Sequence, residues 1–192
     1  MAEVPSTLIL KTGDRAPEFT LVDAGGAVYC VDDVRGPNGL VVAFVCNHCP
    51  FVIHVAEQFA SIAAEYGDRG IGFVAINPND VENYPDDAPD KMVLFAEQYG
   101  WGFPYLYDES QEVAKAYSAA CTPDFYIFDG ELCLAYAGQL DDSRPKNCKP
   151  VTGDALRAVL EGMLAGELPL AVQKPSTGCN IKWKANNAPD YF

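Results

Sequence analysis

The strongest constraint in this chain is a change of hydrophobic period at one point. Residues 39 to 46 are nearly all β-branched or apolar, with Leu40, Val41, Val42, Phe44 and Val45 close together, the pattern of a strand buried on both faces. From residue 50 to 66 the apolar positions Phe51, Val55, Phe59, Ile62 and Tyr66 recur at three- and four-residue steps, with Glu57, Gln58 and Glu65 between them. That spacing predicts an amphipathic helix, closed by Gly67. Residues 71 to 76 return to a short apolar run ended by Asn77-Pro78. Strand, helix, strand is the unit of an α/β fold, with parallel strands and a right-handed crossover.

The flanking sequence extends this unit. Residues 16 to 34 read as two short strands about Ala24-Gly25-Gly26, a hairpin extension lying before the main body. Residues 78 to 88, rich in Asp, Asn and Pro, read as a surface loop. Met92, Phe95, Ala96 and Tyr99 give a second helical face closed by Gly100, followed by a short strand at 103 to 107 and a brief helix at 110 to 117. Apolar runs at 125 to 128 and 132 to 136 flank Asp129-Gly130, a strong hairpin signal. Thr152 is placed to cap a last helix carrying Leu156, Val159, Leu160 and Met163, with Gly166 at its end. No period is readable from 167 to 192. With 192 residues, 49% of them hydrophobic, one domain is expected, its core at about 38 to 166 and a tail at 167 to 192.

Charge narrows the partners. The 27 acidic side chains exceed the 13 basic ones, for a formal charge of −14, so nucleic acid and anionic membranes are not expected to bind. No apolar run approaches about 18 residues, and residues 1 to 10 lack the basic and apolar regions of a secretion signal; the expected location is cytoplasmic. Seven cysteines, an odd number without such a signal, do not suggest an extracellular disulfide framework. Cys30, Cys133 and Cys148 stand apart and read as packed or idle thiols. Cys46, Cys49, Cys121 and Cys179 carry the interest.

Cys46-Asn47-His48-Cys49 is a Cys-x-x-Cys at the junction of the buried strand and the amphipathic helix. Unpaired amides and the macrodipole at a helix N-terminus favour a thiolate, drawing a thiol below its usual value of about 8.5. Cys46 is therefore the expected nucleophile. Cys49, about one turn further on, is placed to close a small disulfide ring and resolve a mixed disulfide. His48 is expected to donate a hydrogen bond or charge to the thiolate and so set the potential. Zinc needs four ligands, and the sequence has no second Cys-x-x-Cys or His pair at zinc spacing. A zinc or copper site using Cys46, Cys49, His48 or His54 with Cys121 or Cys179 is the alternative reading. His54 by itself reads as a solvated helix residue.

The order strand, Cys-x-x-Cys, helix, strand, then Thr122-Pro123 before an antiparallel hairpin resembles the thioredoxin superfamily. The resemblance implies a thioredoxin-like α/β fold with a mixed central sheet flanked by helices. It also implies a cis-proline at Pro123 facing the dithiol, with the backbone of Thr122 pairing with a bound partner. Four strings make the chain similar to a peroxiredoxin-like redoxin (AhpC/TSA-like) subgroup over nearly its whole length: Cys-Asn-His-Cys-Pro at 46 to 50, Cys-Thr-Pro-Asp at 121 to 124, Gly-Gln-Leu-Asp-Asp-Ser-Arg-Pro at 138 to 145, and Pro-Ser-Thr-Gly-Cys-Asn-Ile-Lys-Trp at 175 to 183.

Within that resemblance, peroxide reduction fits less well than dithiol exchange. Peroxiredoxins surround the peroxidatic cysteine with Pro-x-x-x-Thr-x-x-Cys and a distant Arg. Here Cys49 has Cys46 and Val42 at the Thr and Pro places, and Cys46 has Ala43 and Gly39. Arg144, after Asp141 and Asp142, reads either as that Arg or as a loop ion pair. Cys121 is open to three readings: alternative resolving thiol, metal ligand or buried spectator. Cys179, with Ile181 and Trp183 as anchors, is placed either to dock and exchange disulfides with the site or to be structural. The expected activity is thiol-disulfide oxidoreduction on protein or small-molecule disulfides. A cellular dithiol would supply the electrons, and no cofactor or metal is expected beyond a redox-active Cys46–Cys49 disulfide. A thiol peroxidase passing through a sulfenic acid and a metal-binding or redox-sensing module are the alternatives.

Overall fold

A computed structural model describes residues 3–167 and 173–192; of the expected tail, 168–172 lie outside the described residues, as do 1–2 of the N-terminal stretch. Strand β4 (Gly39–Phe44) is buried at every position. Its side chains alternate between two cores, as a pleated strand requires. Val41 and Ala43 enter one with Phe59, Ile62, Phe95, Leu156 and Leu160. Leu40, Val42 and Phe44 enter the other with Val31, Val34, Val113, Ala114 and Tyr117. A run apolar at both parities is thus what a strand sandwiched between helices demands.

The first core is covered by α2 (Pro50–Gly67), α3 (Pro89–Tyr99) and α5 (Asp154–Leu164); the second by α1 (Val31–Val34) and α4 (Glu112–Ala116). One edge of β4 pairs antiparallel with β8 (Asp124–Asp129), from Gly39 opposite Asp129 to Phe44 opposite Asp124, and β8 pairs antiparallel with β9 (Leu134–Gly138). Along the other edge lies β5 (Ile71–Asn77), with the Val45 N–H donating to the Ile76 carbonyl at 2.9 Å. β5 runs parallel to β6 (Tyr105–Tyr107), which is antiparallel to β2 (Thr20–Asp23), itself paired with β3 (Val28–Cys30). The result is the expected mixed sheet flanked by helices.

Several local expectations are corrected. The N-terminal hairpin is an integral edge of the main sheet through β2 and β6, and its second arm stops at Cys30, where Asp33 accepts from the Cys30 amide at 2.8 Å and begins a helical turn. The loop between β8 and β9 spans residues 130 to 133 rather than two residues, because the Asp129 side chain accepts from the amides of Glu131 and Cys133. Gly153, not Thr152, precedes α5; the Asp141 carboxylate accepts from the amides of both Thr152 and Gly153, at 2.7 and 2.8 Å. The tail, unreadable by period, contains β10 (Thr177–Asn180), the middle strand of a small sheet between β1 (Glu3–Pro5) and β7 (Cys121–Thr122). A four-residue strand is too short for a periodic signal. No helix among the described residues is long and apolar enough to cross a membrane.

Candidate active site

β4 ends at Phe44, and the Cys-x-x-Cys occupies the turn before α2. Pro50 takes the first position of α2, where a missing N–H costs nothing, so Cys49 is the residue that caps the helix. Sequence reasoning placed Cys46 at the helix N-terminus; the structure gives that place to Cys49. Cys46 and Cys49 are 1% and 0% exposed, so neither sulfur is open to solvent.

The two thiols converge on Thr122. Cys46 Sγ lies 3.4 Å from Thr122 Oγ1, and Cys49 Sγ lies 3.1 Å from the Thr122 carbonyl oxygen. The next peptide, Thr122-Pro123, is cis, as the resemblance implied. Thr122 also has a partner already: β10 pairs antiparallel with β7, setting Cys179 opposite Thr122 and Asn180 opposite Cys121. The backbone expected to await a partner is therefore taken up by the chain's own tail.

Directly opposed residues in an antiparallel pair share a face, so Cys179 shares the dithiol face with Thr122 and belongs with Cys46 and Cys49 to one buried cluster. Cys121, one residue on, faces elsewhere and approaches the Pro123 carbonyl at 3.6 Å. Of the two extra sulfurs singled out in the sequence, the tail cysteine is the one brought against the pair.

The sulfurs differ in electrostatics. Burial raises the Cys49 thiol, but the thiols of Cys179 and Cys46, the Thr122 hydroxyl and the Val52 amide at the start of α2 outweigh it and bring Cys49 well below the usual range. Burial, the hydrogen bond with Cys49 and the Asp87 carboxylate push Cys46 well up. These directions draw the Cys49 thiol below that of Cys46, the reverse of the order expected from the sequence. The Cys179 and Cys46 thiols and the Thr122 side chain contribute most to this order, and the Val52 amide at the start of α2 adds to them.

The residues between the cysteines are held by a group the sequence reading missed. Asp87, fully buried in the segment expected to be a surface loop, accepts from the Asn47 and His48 amides at 2.8 and 3.1 Å and from Asn79 Nδ2 at 2.8 Å. Its second oxygen pairs with His48 Nδ1 at 2.6 Å. That hydrogen bond raises the His48 pKa against the opposing effect of burial. Asn47 Oδ1 accepts from the Tyr105 hydroxyl at 2.9 Å, and the His48 ring stacks on Tyr84 with centroids 5.8 Å apart. A polar loop gives no sequence sign that one of its carboxylates will turn inward to two amides 39 and 40 residues earlier.

Cys46, His48 and Asp87 bring one ligand atom each to within 4.8 Å of one another. Three donors fall one short of a closed tetrahedral zinc site, and the Asp87 oxygens are already engaged by four donors. His54, expected to be solvated, is half-buried, with Nε2 2.7 Å from Ser143 Oγ. Arg144 forms no ion pair among the described residues; it donates to the carbonyls of Asp141 and Ser143 and to Gln139 Oε1, bracing its own loop.

Comparison with known proteins agrees with this architecture. The chain is 52% identical to a conserved protein of Geobacillus kaustophilus whose crystal structure superposes with a TM-score of 0.93, covering 96% of this chain and 97% of that one. A DsbE-type thiol:disulfide interchange protein structure from Chlorobium tepidum, 20% identical, shares the thioredoxin-like fold at a TM-score of 0.65, over 81% of this chain and 99% of that one. A Mycobacterium tuberculosis protein carrying a peroxiredoxin name is 32% identical over 113 residues, 59% of this chain and 67% of that protein. The thiol-disulfide oxidoreductase ResA of Halalkalibacterium halodurans is 23% identical over 136 residues, 70% of this chain and 73% of ResA. The AhpC/TSA family model matches residues 12–137. With that match covering most of a thioredoxin-like chain, the protein belongs to the AhpC/TSA family of redox enzymes.

Proposed function

We propose that this chain is a thiol-disulfide oxidoreductase whose Cys46–Cys49 dithiol passes two electrons to a protein or small-molecule disulfide. The observation that carries the reading is the convergence of both thiols on Thr122, at 3.4 and 3.1 Å, beside the cis peptide to Pro123. The partner meets Cys46 from the side where His48 and Tyr84 retain exposure, while Cys49 faces Thr122 and the tail. Cys46 gives up its proton to the neighbouring Cys49 thiolate as it attacks, and the displaced half of the disulfide leaves as a thiolate. Cys49 then gives up that proton and attacks Cys46 Sγ, closing the Cys46–Cys49 disulfide and releasing the second thiol. A cytoplasmic dithiol donor reopens the ring.

Dithiol exchange is favoured over peroxide reduction because no Arg among the described residues is hydrogen-bonded at either sulfur, and Arg144 is spent on its own loop. The test compares turnover of insulin or glutathione disulfide with turnover of hydrogen peroxide, both coupled to a dithiol donor. Disulfide turnover that vanishes in Cys46→Ser, with peroxide turnover at background, supports the proposal. Fast peroxide turnover with no disulfide turnover overturns it.

A further inference from the structure

The dithiol of a disulfide-exchange enzyme must meet a peptide that carries sulfur, and here one is already in place. We propose that β10 is a built-in peptide occupant of the partner position and that Cys179 is its exchanging cysteine, so that the chain runs a three-sulfur relay. This rests on the dithiol reading above and adds to it an internal substrate.

Four observations carry the inference. β10 pairs antiparallel with β7 so that Cys179 stands directly opposite Thr122, the residue that both dithiol sulfurs touch. Cys179 is 3% exposed, buried with Cys46 and Cys49, and β10 packs against α2, the helix that Cys49 caps. The residue before it is Gly178, where a Cβ would lie 2.1 Å from the Thr122 carbonyl oxygen; only glycine permits so close an approach. Finally, β10 is held on its far edge by β1, with Glu3 opposite Cys179, so the strand is built into the fold. The Cys179 thiol is also the strongest of the groups that favour the Cys49 thiolate.

The exchange is isoelectronic and needs no outside oxidant once the first disulfide exists. Cys179 loses its proton and its sulfur attacks Cys49 Sγ; the Cys46–Cys49 bond breaks, the Cys49–Cys179 bond forms, and Cys46 leaves as a thiolate that takes up the proton. The outer sulfur is thereby returned to the reduced state while the oxidising equivalent is stored under the tail.

The experiment treats fully reduced protein with oxidised glutathione, quenches with an alkylating reagent over time and maps disulfides by peptide mass spectrometry. A Cys46–Cys49 link lies within one peptide, whereas Cys49–Cys179 cross-links two. In wild type we expect the first link to be joined by the second, with Cys46 then alkylated. In Cys46→Ala, which lacks the sulfur that meets the outside disulfide, the Cys49–Cys179 link should not form. Gly178→Ala keeps all three thiols and should lower the Cys49–Cys179 fraction several-fold while Cys46 and Cys49 still close.

Closure of Cys46–Cys49 in wild type with Cys179 alkylated throughout overturns the relay and leaves the dithiol reading standing. An unchanged Cys49–Cys179 fraction in Gly178→Ala overturns the assigned strand placement. If Cys46 and Cys49 do not close in wild type, both readings fall.

Discussion

The two sulfurs of the Cys-x-x-Cys are three residues apart in sequence and have unlike neighbours. On the Cys46 side lie His48, Asp87 and Tyr84, a polar group with one partly exposed ring and a buried carboxylate. On the Cys49 side lie Thr122, Cys179 and the first turn of α2, a dry setting in which the polar contacts come from thiols, the Thr122 carbonyl and hydroxyl and one amide. Because stabilisation of charge in a low-dielectric site depends on oriented donors, the groups around Cys49 draw its thiol down while burial and the Asp87 carboxylate push Cys46 up. Spacing alone does not divide these surroundings; the long-range neighbours Asp87, Thr122 and Cys179 do.

The largest effect that tests this division is trapping. With the proposed order of attack, Cys49→Ser should accumulate a mixed disulfide on Cys46 with a cysteine-containing peptide, and Cys46→Ser should lose turnover of external disulfides altogether. Mass spectrometry of the trapped species checks it, and a stable adduct on Cys49 of Cys46→Ser with full turnover would reverse the two sides.

A second, smaller effect sharpens the polar side. Asp87→Asn removes a buried charge that accepts from two amides and a ring nitrogen, at a cost of about 1.5–3 kcal/mol for hydrogen bonds to a charged group; thermal melting should fall by several degrees. The same pairing raises the His48 pKa, so its contribution to stability is fully present below the unfolded value of about 6.5. It is lost as the pH rises through the higher folded value. The melting difference between wild type and Asp87→Asn should therefore shrink on the alkaline side, and a difference constant with pH would remove His48 from the account.

The smallest effect is expected for Tyr84→Ala, which takes away the ring stacked on His48 and lying 5.7 Å from Lys182 Nζ. For a partly exposed cation–π contact the loss is about 0.5–1 kcal/mol. Equilibrium denaturation should register it with little change in disulfide turnover; a turnover loss as large as that of Asp87→Asn would mean that the ring does more than cover His48.

The central unit was legible because its physics is local and periodic. β4 and α2 differ in period, and the Asp129-Gly130 signal located the hairpin even though the true loop is longer. Thr122-Pro123 was legible only through resemblance, since nothing in one sequence distinguishes a cis from a trans bond. Asp87 and β10 were not legible for a shared reason: each acts through one long-range pairing, Asp87 with two amides in the Cys-x-x-Cys turn and β10 with strands from both halves of the chain. Neither leaves a repeat that a window of sequence reports. Cys121 and Cys179 looked alike as candidates, and the alternation of side chains along paired strands separated them.

The order β1-β10-β7 also bears on how the molecule behaves in a crowd of its own copies. An unpaired strand edge is a template on which other chains add and aggregate. Among the described residues β1 takes up the free edge of β10 and leaves an outer edge that includes Pro5, which has no N–H to offer a newcomer. On that side the small sheet beside the sulfurs is a poor template for growth, and the strand that carries Cys179 lies between two others.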